Sequence, residues 1–246
     1  MSRIEEKDNV VLLQVVSEAF SLPYFIGGQF GYFQKKGIKQ YIACNYSRFL
    51  DKYAKKVDIP YFPVPIKRTI NPVIDLVAIW KLFFIIKRNK VNVVFGHSPK
   101  GALVAMIAAF LSGVKRRVYF RHGLVFETAT GAKRSLLVLV ERLVTSFATQ
   151  VVDVSPSVLS KVKAEKIDIS KDIMLSKGTC NGVDVDRFNM EVNRPDPVLK
   201  KTLQIPENAF VVGFVGRLVK DKGIVELIES WKMLSVAYPH MRLLLV

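Results

Sequence analysis

Acid is scarce in this chain. Its 246 residues hold 21 aspartates and glutamates against 37 lysines and arginines, a formal charge of +16. That balance disfavours basic partners and suits nucleic acid, anionic lipid or phosphorylated substrates. The basic residues come in scattered clusters: Lys35, Lys36 and Lys39; Lys87, Arg88 and Lys90; Lys115, Arg116 and Arg117; Lys161, Lys163 and Lys166. No RNA- or DNA-binding motif accompanies them, so nucleic acid is not an expected partner. Cysteine is rarer still. Cys44 and Cys180 are the only two, far apart and in no metal-type spacing. A disulfide scaffold and a cysteine metal site are thereby excluded, and two reduced thiols are expected. Long apolar runs are missing as well. A membrane-spanning helix needs about 20 apolar residues. The stretch 72–86 is broken by Asp75 and Lys81, and 102–111 is too short. Both read as buried helices. The opening MSRIEEKDNV is polar and acidic, unlike a signal peptide.

What is present is a regular alternation. Residues 10–16 (VVLLQVV) form a continuous, β-branched apolar run, the mark of a strand buried on both faces. A loop holding Gly27, Gly28 and Gly31 is expected next, and then a second strand over 38–43. Val73, Leu76, Val77, Trp80 and Phe84 fall at helical intervals. Strand 91–95 follows. Ser98 and Pro99 then open a helix, Ser98 as its cap. Strand 118–121, helix 135–147 and strand 151–154 continue the pattern. Ser155-Pro156 repeats the cap-and-proline start, and 173–176 is a further strand. Strict alternation predicts an α/β fold: a doubly wound parallel sheet with right-handed crossovers, its ligands at the carboxyl ends of the strands. The polar, aperiodic stretch 183–197 reads as a linker between two domains, 1–184 and 185–246. The second opens near Asp196, with strand 210–215, helix 223–234 and strand 241–246. The chain stops on an apolar strand, so a longer protein is expected.

The loop after strand 210–215 carries the clearest chemistry. It reads Gly216-Arg217-Leu218-Val219-Lys220-Asp221-Lys222-Gly223. Gly216 allows a sharp exit from the strand. Arg217 and Lys222 then place a guanidinium and an ammonium together before a helix, which suits a diphosphate; a solvated charged loop is the plainer alternative. His97 and His122 each follow a strand and so lie at the carboxyl end of the sheet. Gly27 and Gly28 could bring main-chain N–H groups to phosphate oxygens, although their loop does not fit the GxGxxG dinucleotide fingerprint. Asp184-Val185-Asp186 has a metal-type spacing but sits in the linker and is read as structural. His240 is read as structural too.

The segment GFVGRLVKDKGIVELIESW resembles the start of the C-terminal domain of GT-B glycosyltransferases of the family 4 type. Asn181-Gly182-Val183-Asp184 with Phe188 is similar to that family's junction into its second domain. HSPKGAL and RHGLVFE look like transferases of capsular, O-antigen or exopolysaccharide synthesis. The resemblance runs from Val10 to Val246. It implies a GT-B fold and a retaining transferase that takes a sugar from a nucleoside diphosphate, with no cofactor and no metal. Arg217 and Lys222 would bind the diphosphate, with Gly27, Gly28 and Gly216 also on the donor side. His122 would face the donor sugar and count among the catalytic residues. His97 and Glu127 are expected on the acceptor side. The implied acceptor is a lipid-linked saccharide, met at the anionic inner face of the cytoplasmic membrane by a peripheral, cytoplasmic enzyme. The family's Glu-x7-Glu segment would lie beyond Val246, so the 246-residue polypeptide alone is expected to have negligible transferase activity. Two other readings stay open: a nucleotide-sugar 2-epimerase on the same fold, and a non-catalytic fragment.

Overall fold

The computed structural model describes residues 9–67, 69, 71–179, 182–191 and 196–246. Cys180 and Asn181, singled out above, fall outside them. The chain divides into two compact units, Met1–Gly182 and Val183–Val246.

In the first unit the elements run β1 (Val11–Val15), α1 (Leu22–Phe25), α2 (Gly27–Lys35), β2 (Lys39–Cys44), α3 (Arg48–Val57), β3 (Tyr61–Pro63), α4 (Pro72–Arg88), β4 (Val93–His97), α5 (Pro99–Leu111), β5 (Arg116–Arg121), α6 (Gly131–Phe147), β6 (Gln150–Asp153), α7 (Pro156–Ala164) and β7 (Asp172–Met174). The strands form one sheet in the order β3-β2-β1-β4-β5-β6-β7. Each neighbouring pair is parallel. The expected doubly wound sheet is therefore the observed one.

The sheet is covered on both faces, and the period of two in each strand sorts the side chains between them. Along β2, Tyr41 and Ala43 join the core built with α4, α5 and α6. Ile42 and Cys44 join the opposite core, with Leu22, Ile26, Phe30 and Leu50 from α1 to α3. Each such aliphatic side chain contributes about 1.5–3 kcal/mol when fully buried. Burial pushes the Cys44 thiol up to about 12, with a further contribution from the charge of Glu18; this cysteine is inert. Gly96 is indispensable to the α5 face: a Cβ there would meet Ala102 Cα at 2.8 Å. Strand and helix thus approach more closely than any side chain permits.

Several sequence expectations change here. Gly27 and Gly28 do not lie in a loop but open α2. Helix α3, capped by Ser47 on Leu50 N–H at 3.1 Å, and the short edge strand β3 were not foreseen. Ser155 caps α7 as expected, on Val158 N–H at 3.1 Å. Ser98 does not cap α5: it stands at φ 63°, ψ 151° with no side-chain cap bond. The apolar stripe Val73, Leu76, Val77, Trp80 and Phe84 faces away from the core, which takes Ala78, Ile79, Leu82 and Ile86 instead.

The second unit holds α8 (Pro197–Thr202), β8 (Phe210–Phe214), α9 (Ile224–Ala237) and β9 (Met241–Leu245). β8 and β9 pair in parallel. None of its described residues is fully buried.

At the end of β5 the fold concentrates charge. Arg121 Nε donates to Glu141 Oε1 at 2.7 Å. Its Nη1 donates to Asp153 Oδ1 at 2.8 Å and Asp172 Oδ2 at 2.6 Å, and its Nη2 to Thr145 at 3.0 Å. Tyr119 donates to Glu141 Oε2 at 3.1 Å. One guanidinium thus faces three carboxylates, all buried. Burial raises Glu141 and Asp153, with Asp172 adding to the rise at Asp153. Breaking one buried pair typically costs about 3–5 kcal/mol, because the stranded charge stays desolvated. Arg121→Met should therefore lower stability by about 3–5 kcal/mol near neutral pH. The folded values of Glu141 and Asp153 lie above the unfolded ones, so the stability held in their protons is full below about 4 and drains as pH rises through the raised values. The loss in Arg121→Met should accordingly be larger at pH 8 than at pH 5. Urea unfolding followed by circular dichroism checks both statements, and equal midpoints for variant and parent would contradict them.

Candidate active site

The strand order reverses on either side of β1 and β4, and the crevice beyond their carboxyl ends is where an open α/β sheet takes ligands. Ser17 leaves β1 there and Ser98 leaves β4; their hydroxyls are 3.0 Å apart. A Cβ on Gly101 would come within 3.2 Å of Ser17 N. Ser98 is held in a backbone conformation that L residues rarely adopt, a strain of about 1–3 kcal/mol that surrounding structure must over-determine.

Gln14, His97 and His122 form a hydrogen-bonded line through this end of the sheet. Gln14, His97 and Phe120 lie on the sheet face away from α5, since Leu13, Val15 and Tyr119 belong to the α5 side. His97 Nε2 lies 2.7 Å from Gln14 Oε1, and His97 Nδ1 lies 3.0 Å from His122 Nε2. The His97 and His122 rings are stacked with centroids 5.3 Å apart, and Phe25 stacks on His122 at 4.3 Å. Burial, and then the neighbouring His122, hold His97 well below the ordinary imidazole value. Burial lowers His122 to about 4. Both rings are neutral at pH 7.

Neutral rings fix the proton positions. A carbonyl oxygen only accepts, so His97 Nε2–H donates to Gln14. The lone pair of His97 Nδ1 then accepts from His122 Nε2–H. His122 is thereby oriented from behind by His97 and neutral at pH 7.

The other candidates are distributed as follows. His97 is 1% exposed and reaches the crevice only through His122, not as a surface acceptor contact. Glu127, in the turn Val125–Thr128, is exposed and pairs with Lys161 at 2.5 Å. Gly27 and Gly28 sit in the first turn of α2. In the second unit Gly216 follows β8. Arg217 is exposed and pairs with Asp221 at 3.3 Å, and Lys222 ends a 3-10 turn. Gly223 (φ 75°) then caps α9, a left-handed position where glycine costs nothing. Beside Ser17, a mainly apolar recess of about 390 Å³ is lined by Lys100, Leu103, Val125, Leu137 and Val140. The Lys100–Asp75 ion pair lies at the same recess. Gln14 and Arg121 were missed from the sequence. A lone glutamine in an apolar strand was the available signal for the first. Arg121, adjoining His122, gave no such sign.

Comparison with known proteins adds the following. Residues 42–171 match the glycosyl transferase 4-like domain. The chain is 30% identical over 239 residues to the capsular polysaccharide biosynthesis glycosyltransferase CapM of Staphylococcus aureus, covering 97% of this chain and 61% of that protein. It is 29% identical over 192 residues to the UDP-Gal:alpha-D-GlcNAc-diphosphoundecaprenol alpha-1,3-galactosyltransferase of Escherichia coli, covering 78% of this chain and 49% of that protein. The chain therefore spans about half to three-fifths of these relatives' lengths. Among solved structures, Anabaena HepE in complex with UDP and glucose superposes with a TM-score of 0.70 at 16% identity, over 96% of this chain and 60% of that one; this likeness is one of fold.

The proton arrangement is open to measurement. Nitrogen NMR at pH 7 should find His122 protonated on Nε2 alone and His97 on Nε2 alone, and Gln14→Leu should let both tautomers mix. His122 should take up its second proton only near pH 4. A folded value below the unfolded one means that its contribution is intact above about 6.5 and is lost as pH falls through about 4. Mixed tautomers in the parent, or a His122 midpoint near 6.5, would contradict the scheme.

Proposed function

The chain belongs to the glycosyl transferase 4-like family, and from that membership we propose that its protein is a retaining glycosyltransferase, moving a sugar from a nucleoside diphosphate to a lipid-linked saccharide in surface polysaccharide synthesis. The observation that carries the reading is the loop between β8 and α9. There Arg217 and Lys222 stand exposed at the carboxyl end of a parallel strand, ahead of a helix of 14 residues. As the glycosidic bond breaks, the leaving diphosphate gains charge, and two fixed cations stabilise that charge more than they stabilise the bound donor. In this reading they do the work for which other enzymes recruit a metal, and no cofactor is required.

The remaining residues take roles consistent with their geometry. His122, neutral and held by His97, faces the donor sugar. Gly27 and Gly28 offer main-chain N–H groups at the start of α2, a suitable place for phosphate. Glu127 meets acceptor hydroxyls. The unit ending near residue 184 is the acceptor side, and residues 185–246 begin the donor side. The Escherichia coli relative is named for an acceptor that is a sugar on a diphosphate lipid. That supports a transferase over an epimerase, and it supports the anionic inner face of the cytoplasmic membrane as the place of work. The association in this reading is peripheral; no helix among the described residues is long and apolar enough to cross a membrane.

In the full-length protein, Arg217→Ala and Lys222→Ala should each slow transfer about a hundredfold or more. Arg217→Lys should also be impaired, because an ammonium cannot reproduce a bidentate guanidinium. The KM for acceptor should change little. Steady-state transfer with donor and acceptor varied separately gives the answer. Near-normal turnover in both alanine variants would reduce the loop to a solvated surface.

A further inference from the structure

Helix α4 is apolar on both sides, and only one side is covered. Val73, Leu76, Val77, Trp80 and Phe84 share one side of the helix, and each is between 48% and 73% exposed. A contiguous stripe of this kind is more than scattered surface apolarity and marks an interaction face. Its charges are one-sided. Asp75, the one acid of the helix, turns inward to Lys100 and is mostly buried. Lys81, Lys87 and Arg88 are exposed and form no ion pair with any described residue. Between α4 and the edge strand β3, a depression of about 620 Å³ is lined by Phe62, Phe84 and Ile85 together with Lys81 and Arg88. Apolar surface and unpaired cations thus share one hollow.

We propose that the outer face of α4 is a membrane-docking surface. The helix lies in the interface of an anionic bilayer with its apolar stripe among the upper acyl chains, and Lys81, Lys87 and Arg88 engage lipid phosphates. The hollow beside β3 takes one anionic headgroup. Charge decides between this occupant and a second copy of the chain. A two-fold contact places the same patch on itself, which would press these three cations against their equivalents in a protein already at +16. An anionic surface complements them, and an amphipathic helix with a basic flank binds in the interfacial plane. The inference rests on the reading above only for the membrane as the place of work; it requires no transfer chemistry.

The test uses the 246-residue chain with Trp231→Phe, which leaves Trp80 as the sole indole. Vesicles of phosphatidylcholine, alone or mixed with phosphatidylglycerol, are added, and binding is followed by co-sedimentation and by Trp80 emission. The expected result is binding to the anionic vesicles with a blue shift of Trp80, weakened by salt. Phe84→Glu and the pair Lys81→Glu/Arg88→Glu, all at exposed positions, should each reduce partitioning about tenfold or more while leaving the circular dichroism spectrum intact. Vesicle binding that these variants leave unchanged, without a Trp80 shift, would place the docking surface elsewhere. Absence of binding to either vesicle would overturn the proposal, as would a dimer in sedimentation that Phe84→Glu dissolves. Transfer to a detergent-solubilised acceptor by the full-length protein tests the functional reading itself, and its outcome does not depend on α4.

Discussion

The guanidinium of Arg121 holds the carboxyl end of the sheet together. It sits on the last residue of β5 and reaches Asp153 at the end of β6, Asp172 at the start of β7, and Glu141 and Thr145 on α6. Four elements therefore meet on one buried cation. The residue that follows it in the chain is His122, whose ring must stand 3.0 Å from His97 for the hydrogen-bonded line to form. A buried ionic cluster is weak evidence for net stability, since desolvation offsets much of its attraction. Its effect here is positional. Arg121 and Tyr119 point to the α6 side, so the alternation of the strand turns Phe120 to the other face, where it stacks on His97 at 4.8 Å.

The two units present contrasting electrostatics. The crevice of the first is lined by rings that burial keeps neutral, with their hydrogen-bond directions set from behind. The loop of the second presents cations in the open, where Arg217 keeps only an exposed partner in Asp221. Exposed cations of this kind suit a diphosphate. The family match across residues 42–171 places the chain among glycosyl transferase 4-like proteins.

Much of the fold was legible because parallel strands are apolar on both faces and helices intervene with little else. The losses have physical causes. Gly27, Gly28 and Gly31 read as a loop because glycine weakens a helix, yet α2 forms, with Phe30 buried against the core. β3 is three residues long and includes Pro63, too little pattern to register. In α4 the helical period was correct and its direction was not: with apolar residues all round, periodicity alone cannot say which side meets the sheet, and the smaller Ala78 with Ile79 and Leu82 went inward. In the site, the histidines were visible from their place after strands, but their contact depends on pairing between β4 and β5, in which His97 opposes Phe120. Ser98 looked like a cap by residue type; its φ of 63° and its bond to Ser17 come from tertiary packing that no local rule contains.

The central claim is that the protein transfers a sugar, and the fate of the donor decides it. The full-length protein is incubated with a nucleoside-diphosphate sugar, with and without a diphosphate-lipid saccharide, and both lipid and nucleotide fractions are analysed by mass spectrometry. The expected products are an acceptor heavier by one sugar residue and free nucleoside diphosphate in equal amount, with retained anomeric configuration in the product by NMR. An epimerised nucleotide sugar formed without acceptor, or a donor left intact under all conditions, would contradict it.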